Sequence, residues 1–255
     1  MDAVRTGWTY DAEVRHFDAL VEKIGESWWG HTTTAGVRRL QRRARLIAKA
    51  LPWGPEFDAM EIAAGAGALT TAILREVPAA RITATDISPI SLAHLHKRVG
   101  DFRGVRIVRS DITSLEFEDE SFDAVIGNSA LHHVDIPRCL SELHRVLKPG
   151  GRLMVFEPNL LNPEVLLETT VARRFARCRL NYSAEERTHT RGTYAGRLRQ
   201  AEFAEVRVTP FDFLHPLTPK FLVGAGAVLC RILEHVPLIR ELSGSLILAA
   251  LKPKN

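Results

Sequence analysis

The stretch Met60-Glu61-Ile62-Ala63-Ala64-Gly65-Ala66-Gly67-Ala68-Leu69-Thr70 constrains the fold more than any other part of the chain. An apolar run carrying one acid ends in Gly-x-Gly and passes into a helical pattern. A strand, a tight turn and a helix read this way in sequence. Glycines let the backbone turn sharply and leave room for a ligand to lie against it. The helix that follows offers unpaired N–H groups and the positive end of its dipole. Such a loop binds a nucleotide-like molecule, and its surroundings decide which one.

The surroundings are an alternation. Short runs rich in apolar and β-branched residues, FDAMEIA, ARITATD, VRIVRSD, FDAVIGN and GRLMVFEP, occupy residues 56–158. The helical patterns LTTAILREV, PISLAHLHKRV and IPRCLSELHRVL lie between most of them. This predicts an α/β fold, a mainly parallel sheet with helices on both faces. Residues 1–55 read as an N-terminal helical cap, closed by Pro52 and Gly54-Pro55. The main domain then runs over 56–255. It carries a basic, polar insertion at about 159–192 and a hydrophobic helical segment at about 219–242, the commonest fate of which is a buried structural helix. A helix near TYAGRLRQAEF and strands at EVRVTPFDFL and SLILAALK complete the reading.

With 45% hydrophobic and 25% charged residues and a net charge of +4, the composition is that of an ordinary soluble domain. Cys139, Cys178 and Cys230 form no metal-ligand or disulfide pattern, so no metal is expected. No apolar run is long enough for a membrane span, and the polar N-terminus is not a targeting peptide. A cytoplasmic location fits. Peripheral membrane contact and homo-oligomers stay open.

Three acids narrow the ligand. Asp86 ends the second strand about 20 residues past the loop, where a carboxylate accepts both hydroxyls of a ribose. A dinucleotide fold shares that acid but wants glycine or alanine at the position of Thr70. Glu61, inside the first strand, and Asp111, at the end of the third, favour another reading, since Asp111 can accept from an exocyclic amine such as that of adenine.

In this order the residues resemble class I S-adenosylmethionine-dependent methyltransferases, and the turn Leu147-Lys148-Pro149-Gly150-Gly151 resembles that of the UbiE-like subgroup acting on small molecules, quinones and related lipids. The likeness runs from about Phe57 to Pro158. The family's Leu-Asp-x-Gly-x-Gly-x-Gly stands here as Met-Glu-Ile-Ala-Ala-Gly-Ala-Gly. Glu61 replaces the acid and Ala63 the first glycine, while Gly65 and Gly67 match the glycines that lie against the cofactor. The resemblance implies that Asp86, with Ile87, binds the ribose, that Asp111 and Ile112 hold the adenine, and that Asn128 and Ser129 face the methionine part. It implies a Rossmann-like sheet of seven strands, five parallel and then an antiparallel sixth–seventh pair.

Methyl transfer needs an aligned nucleophile, excluded water and, for a protonated nucleophile, a base. His133 and Glu157, at the ends of the fourth and fifth strands, are the candidate catalytic pair, although both also suit structural roles there. His132, Asn159, Tyr182 and His189 are candidate acceptor contacts. The paired Trp28 and Trp29 beside His31 suit either a lid or a helix-docking cluster. Arg38, Arg39, Arg42, Arg43, Arg45 and Lys49 crowd one N-terminal segment, and on a helix 38, 42, 45 and 49 share a face. That face suits an anionic acceptor, nucleic acid or a membrane surface, but its commonest fate is solvation, opposite Val37, Leu40, Ala44 and Ile47. Arg173, Arg174, Arg177, Arg179, Arg187 and Arg191, in the insertion, suit an anionic acceptor. The expected activity is methyl transfer from S-adenosylmethionine to a small natural-product or lipid-quinone acceptor, with oxygen favoured and S-adenosylhomocysteine as product. No nucleic-acid motif appears. A non-catalytic cofactor-binding subunit and an NAD-dependent oxidoreductase are the alternatives.

Overall fold

Five strands pair in parallel, the central ones buried almost end to end, and the order of pairing decides where the chain's polar ends collect. The structure, a computed structural model, describes residues 30–100, 102–169 and 187–254, together with 14, 15, 18, 19, 21 and 22. Strands β1 (Asp58–Ile62), β2 (Arg81–Asp86), β3 (Val105–Arg109), β4 (Phe122–Asn128) and β5 (Leu147–Pro158) are followed by β6 (Ala204–Phe211) and β7 (Ser245–Leu251). The sheet order is β3-β2-β1-β4-β5-β7-β6. The first five strands are parallel, and β7 lies antiparallel between β5 and β6. This is the expected Rossmann-like arrangement. Its order reverses between β1 and β4, which opens a crevice at their C-terminal ends.

Helices α1 (Thr34–Ala50), α2 (Ala68–Glu76), α3 (Pro89–Val99) and α4 (Ile136–Val146) cover the sheet. Each of α1, α3 and α4 begins where the sequence supplies a cap. Thr33 accepts from the amide of Gly36, Ser88 from Ser91 and Asp135 from Arg138. One apolar cluster gathers α1, α2 and α3 against β1 and β2, centred on Ile47, Ile73, Ile82 and Leu95. A second joins α4 and α6 (Arg191–Gln200) to the sheet's other face through Leu140, Leu143, Tyr194 and Leu248.

Two expectations change here. The hydrophobic segment is not a buried helix. It breaks into a 3₁₀ turn (Lys220–Leu222), α7 (Val223–Leu233) and a second 3₁₀ turn (Ile239–Leu242). In α7 only Val223 and Cys230 are buried. The basic face of α1 is also not simply solvated. Arg42 makes two bonds of 2.6 Å to Glu234, and Arg45 pairs with Glu76. These ties fasten α1 to elements far away in sequence, a use that periodicity alone does not reveal. Trp28, Trp29, His16, Tyr182 and Arg173 to Arg179 lie outside the described residues.

Candidate active site

A cavity of about 330 Å³ lies at the C-terminal edge of the sheet, where the strand order reverses. Its first wall is the glycine turn. The backbone leaves β1 through Ala63 (φ 48°), Gly65 (φ 54°) and Gly67 (φ 80°), all in the left-handed region. No atom of the described residues stands within 4 Å of where a Cβ on Gly65 would be, so among them that glycine opens onto free space. Gly67 also has a packing role. It precedes α2, and a Cβ there would collide with Leu95 of α3, so its bareness lets two helices approach.

Asp86 ends β2 and is already engaged. Its Oδ2 accepts from the Gly65 amide at 2.8 Å and its Oδ1 from the Ser88 amide at 2.9 Å. The carboxylate therefore shapes the glycine turn, and each oxygen keeps a further lone pair for a ligand hydroxyl. Burial raises its pKa, against the lowering by those amides. Asp111 accepts from the amide and hydroxyl of Thr113 through Oδ1, at 2.7 and 2.8 Å. Ile87, Ile112 and Asp111 line the cavity beside Asp86. The described part of the N-terminal stretch reaches the same place. Ser88 Oγ donates to Asp18 at 2.5 Å, and Val21 lines the wall.

Glu61 lies at the floor, 1% exposed. Burial pushes its carboxyl up to about 8, opposed by hydrogen bonding from Thr70 and reinforced by nearby Asp86. Its Oε2 is buried without a hydrogen-bond partner. An orphaned carboxyl oxygen and the open space over Gly65 fit a ligand that brings hydrogen-bond donors or positive charge to the floor. The amino group and sulfonium of S-adenosylmethionine have that chemistry. Among the described residues no cluster suited to a metal occurs.

The second wall is the end of β4. Ser129 (φ 58°), Asn128, Ala130, His132 and His133 line it. Glu157, expected as a catalytic partner, does not reach the cavity. Its Oε1 accepts from the amides of Ala130 and Leu131, at 2.9 and 2.8 Å. Its Oε2 lies 2.6 Å from His132 Nδ1. Tyr194 reaches the same oxygen at 3.4 Å. Glu157 thus fixes the turn that carries both histidines and orients His132 rather than His133. The two imidazoles lie 4.0 Å apart.

Two expected acceptor contacts stand elsewhere. The Asn159 side chain is turned to the backbone carbonyls of Glu241 and Ser243 and does not line the cavity. The His189 ring packs edge-on against Tyr194, behind the wall. Its neighbour Thr188 lines the cavity in its place. Arg187 contributes a backbone bond to His132, and Arg191 pairs with Glu241, so neither described arginine of the insertion enters.

The third wall is basic. Arg43 of α1 is 6% exposed and lines the cavity. It donates to Asn128 Oδ1 at 2.8 Å and to Ser245 Oγ at 2.9 Å, stands 3.7 Å from Asp212, and lies over the Phe156 and Phe211 rings. Burial first, then repulsion from Arg39, lowers its pKa to about 9. Arg39 bonds Asp212 at 2.9 Å, so two guanidinium groups share one carboxylate. Desolvation, with Arg43 and Arg39 behind it, pushes His31 down to about 4. A sequence signal existed. Arg43 lies between Leu40, Ala44 and Ile47, and so interrupts the inward stripe of α1 with a charge.

Residues 60–155 match the methyltransferase-domain family model. A demethylmenaquinone methyltransferase of Thermus thermophilus is 36% identical over 121 residues, 46% of this chain and 54% of its own length. A malonyl-[acyl-carrier protein] O-methyltransferase of Halorhodospira halophila is 35% identical over 154 residues, 58% of this chain and 49% of its own. The chain thus spans about half the length of these curated relatives. In fold it is similar to an S-adenosylmethionine-dependent methyltransferase of Thermotoga maritima, with TM-score 0.67, 18% identity and coverage of 94% of this chain and 99% of that one. It is likewise similar to a geranyl diphosphate C-methyltransferase of Streptomyces coelicolor, with TM-score 0.64, 16% identity and coverage of 97% and 99%.

Proposed function

Given that this chain carries a class I S-adenosylmethionine-dependent methyltransferase domain of the UbiE-like kind, we propose that it transfers a methyl group from S-adenosylmethionine to a hydroxylated small molecule of quinone or natural-product type. The observation that carries this reading is one cavity floored by Glu61 and the open Gly65 turn, with Asp86 and Asp111 on one side and His132 on the other. Bound S-adenosylmethionine supplies a methyl on a positively charged sulfur, which needs no further activation.

In this proposal Asp86 and Ile87 hold the ribose, Asp111 and Ile112 the adenine, and Glu61 the positive end. Ala63, Gly65, Asn128 and Ser129 form the bed between them. Gly67 acts indirectly, by letting α2 sit close to α3. The neutral walls of Leu40, Val134, Val165 and Leu214 keep water from the reacting atoms. His132 is the base. Its Nδ1 faces the Glu157 carboxylate, which favours the tautomer with the proton on Nδ1 and the lone pair on Nε2. Nε2 takes the hydroxyl proton of the acceptor as the new O–CH₃ bond forms. The electron pair of the broken S–CH₃ bond stays on sulfur. Glu157 is then a positioning residue, and His133 a contact for the acceptor. Arg43 and Arg39 supply a positive wall for a carboxylate or other anionic group on the acceptor.

Calorimetry with S-adenosylhomocysteine tests the cofactor half. Micromolar binding that is lost in Asp86→Ala supports it, and no binding by the folded protein overturns it. Mass spectrometry over a panel of hydroxylated acceptors tests the transfer. A gain of one methyl on oxygen is the expected product. Tight S-adenosylhomocysteine binding with transfer to no acceptor favours a non-catalytic binding subunit.

A further inference from the structure

The cavity opens among apolar side chains that face water. Leu161, Leu166 and Leu167 come from the turn after β5 and the short helix α5 (Pro163–Leu167), and are 43, 44 and 61% exposed. Leu217 and Phe221 follow β6, at 70 and 83%. In α7, Val228, Leu229 and Ile232 are 55–59% exposed, on the side opposite the buried Val223 and Cys230. Leu238 is 83% exposed.

These segments are tied together at the rim. His215 Nε2 meets Glu164 at 2.8 Å, and Asn162 Nδ2 donates to the Leu242 carbonyl at 2.9 Å. Asn162, Glu164, Val165, His215 and Pro216 line the cavity itself. One face of the molecule therefore presents a belt of large apolar groups around the entrance. A helix whose outer side is apolar is not built to face water.

The charge at this face points to what covers it. Lys220 and Arg231 are exposed and make no ion pair among the described residues. Arg240 and His235 are exposed beside them. Of the acids nearby, Glu234 is held by Arg42, Glu241 by Arg191 and Arg240, and Glu164 meets His215. A cationic rim around an apolar belt repels a second copy of itself and attracts an anionic surface. Apolar groups that enter the acyl boundary with cations at headgroup level have this layout.

We propose that this face docks on an anionic lipid bilayer, so that the acceptor passes from the membrane into the cavity without crossing water. The docking stands on the surface alone. Its extension to the acceptor rests on the methyltransferase reading. No helix among the described residues is long and apolar enough to cross a membrane, so the contact is peripheral.

Cosedimentation of the full chain with vesicles tests it, using phosphatidylcholine alone and an equimolar mixture with phosphatidylglycerol. The protein should pellet with the mixed vesicles at low salt, and at least tenfold less with phosphatidylcholine alone. The triple substitution Phe221→Ser, Leu229→Ser, Leu238→Ser should lose pelleting at least tenfold while keeping S-adenosylhomocysteine affinity, which also reports that it folds. Lys220→Glu with Arg231→Glu should remove the preference for phosphatidylglycerol. A wild-type protein that stays in the supernatant with mixed vesicles overturns the proposal, as does undiminished pelleting of the triple variant. Sedimentation velocity showing a dimer that the triple variant dissolves, without lipid binding, assigns the face to self-association instead. Protein that pellets with vesicles but binds no S-adenosylhomocysteine retains the docking and loses the methyltransferase reading.

Discussion

The two halves of the cavity are made by different means. The half we propose for the cofactor comes from three consecutive strand ends, β1, β2 and β3, each delivering its acid at the edge with few long-range ties. Asp86 reaches only to Gly65 and Ser88 in the turns around it, apart from the contact of Ser88 with Asp18. The acceptor half is assembled from α1, the end of β4, the turn after β5 and the approach to β7. Arg43 alone joins Asn128, Asp212 and Ser245, across more than half the chain. A motif half is set by local chain geometry, whereas an assembled half depends on the whole fold. Lesions in the first should cost binding or chemistry, and lesions in the second should cost stability as well.

The largest effect falls on a residue of the acceptor half. His132→Ala should lower kcat by about 10³-fold for a hydroxylated acceptor, within the range for a lost general base, and leave S-adenosylhomocysteine affinity unchanged. Glu157→Gln should weaken kcat less and shift the acidic limb of the pH–rate profile to lower pH, since the amide neither favours the reactive tautomer nor stabilises the protonated imidazole. Equal kcat and pH profile in both variants would remove the base from the mechanism. Next, Asp86→Ala should weaken S-adenosylhomocysteine binding about 100-fold by calorimetry, ~3 kcal/mol, because a charged acceptor and the hold on the Gly65 amide vanish together. Its urea midpoint should fall little by comparison.

Arg43→Met should do the reverse. Asp212 keeps Arg39, but Asn128 and Ser245 lose a charged donor, so unfolding free energy should drop by about 2–3 kcal/mol in urea titration. A variant as stable as wild type would break the contrast between the halves, and would mark Arg43 as a ligand contact only.

The contrast also explains what was legible in advance. The sheet, its helices and the meeting of Glu61, Asp86 and Asp111 at one cavity follow from period and punctuation, because each acid sits at a strand end marked by its own run. Glu157 was correctly placed at the end of β5. Its direction was not, because the backbone amides of Ala130 and Leu131 that capture it belong to another strand's turn. Asn159 was drawn away in the same manner by the carbonyls of Glu241 and Ser243. The exposed side of α7 could not be told from a core helix, since apolar periodicity does not say which medium the apolar side meets. Arg43 was legible as a charge in an apolar stripe, but its partners lie 85 or more residues away.

Glu61 supplies a smaller effect that is read through pH. Its carboxyl is raised from 4.5 to about 8 in the folded protein, so folding holds a proton that the unfolded chain releases. Stability from this group is therefore complete below about pH 4.5. It is lost at about 1.4 kcal/mol per pH unit as pH rises toward 8, and is level above that. Glu61→Gln should flatten that slope in thermal or urea unfolding of the ligand-free protein. An unchanged slope would assign the pH dependence to another group.

The smallest effect sets strain against freedom at one backbone position. Ala63 has φ 48°, a region that costs an L-residue about 1–2 kcal/mol. The motif it resembles carries glycine at this place. Ala63→Gly removes the strain but gives the unfolded chain more conformations, which costs about 0.5–1 kcal/mol. The net gain should be about 0.5–1 kcal/mol in urea unfolding, with S-adenosylhomocysteine affinity within twofold of wild type. Gly65→Ala makes the matched opposite. It adds the same strain at φ 54° and places a methyl in the space kept open for the ligand, so it should cost both stability and affinity. If Ala63→Gly weakens binding instead, the Ala63 methyl is part of the bed that the cofactor lies on. The cofactor half would then depend on a side chain at the one glycine position where this chain departs from the motif.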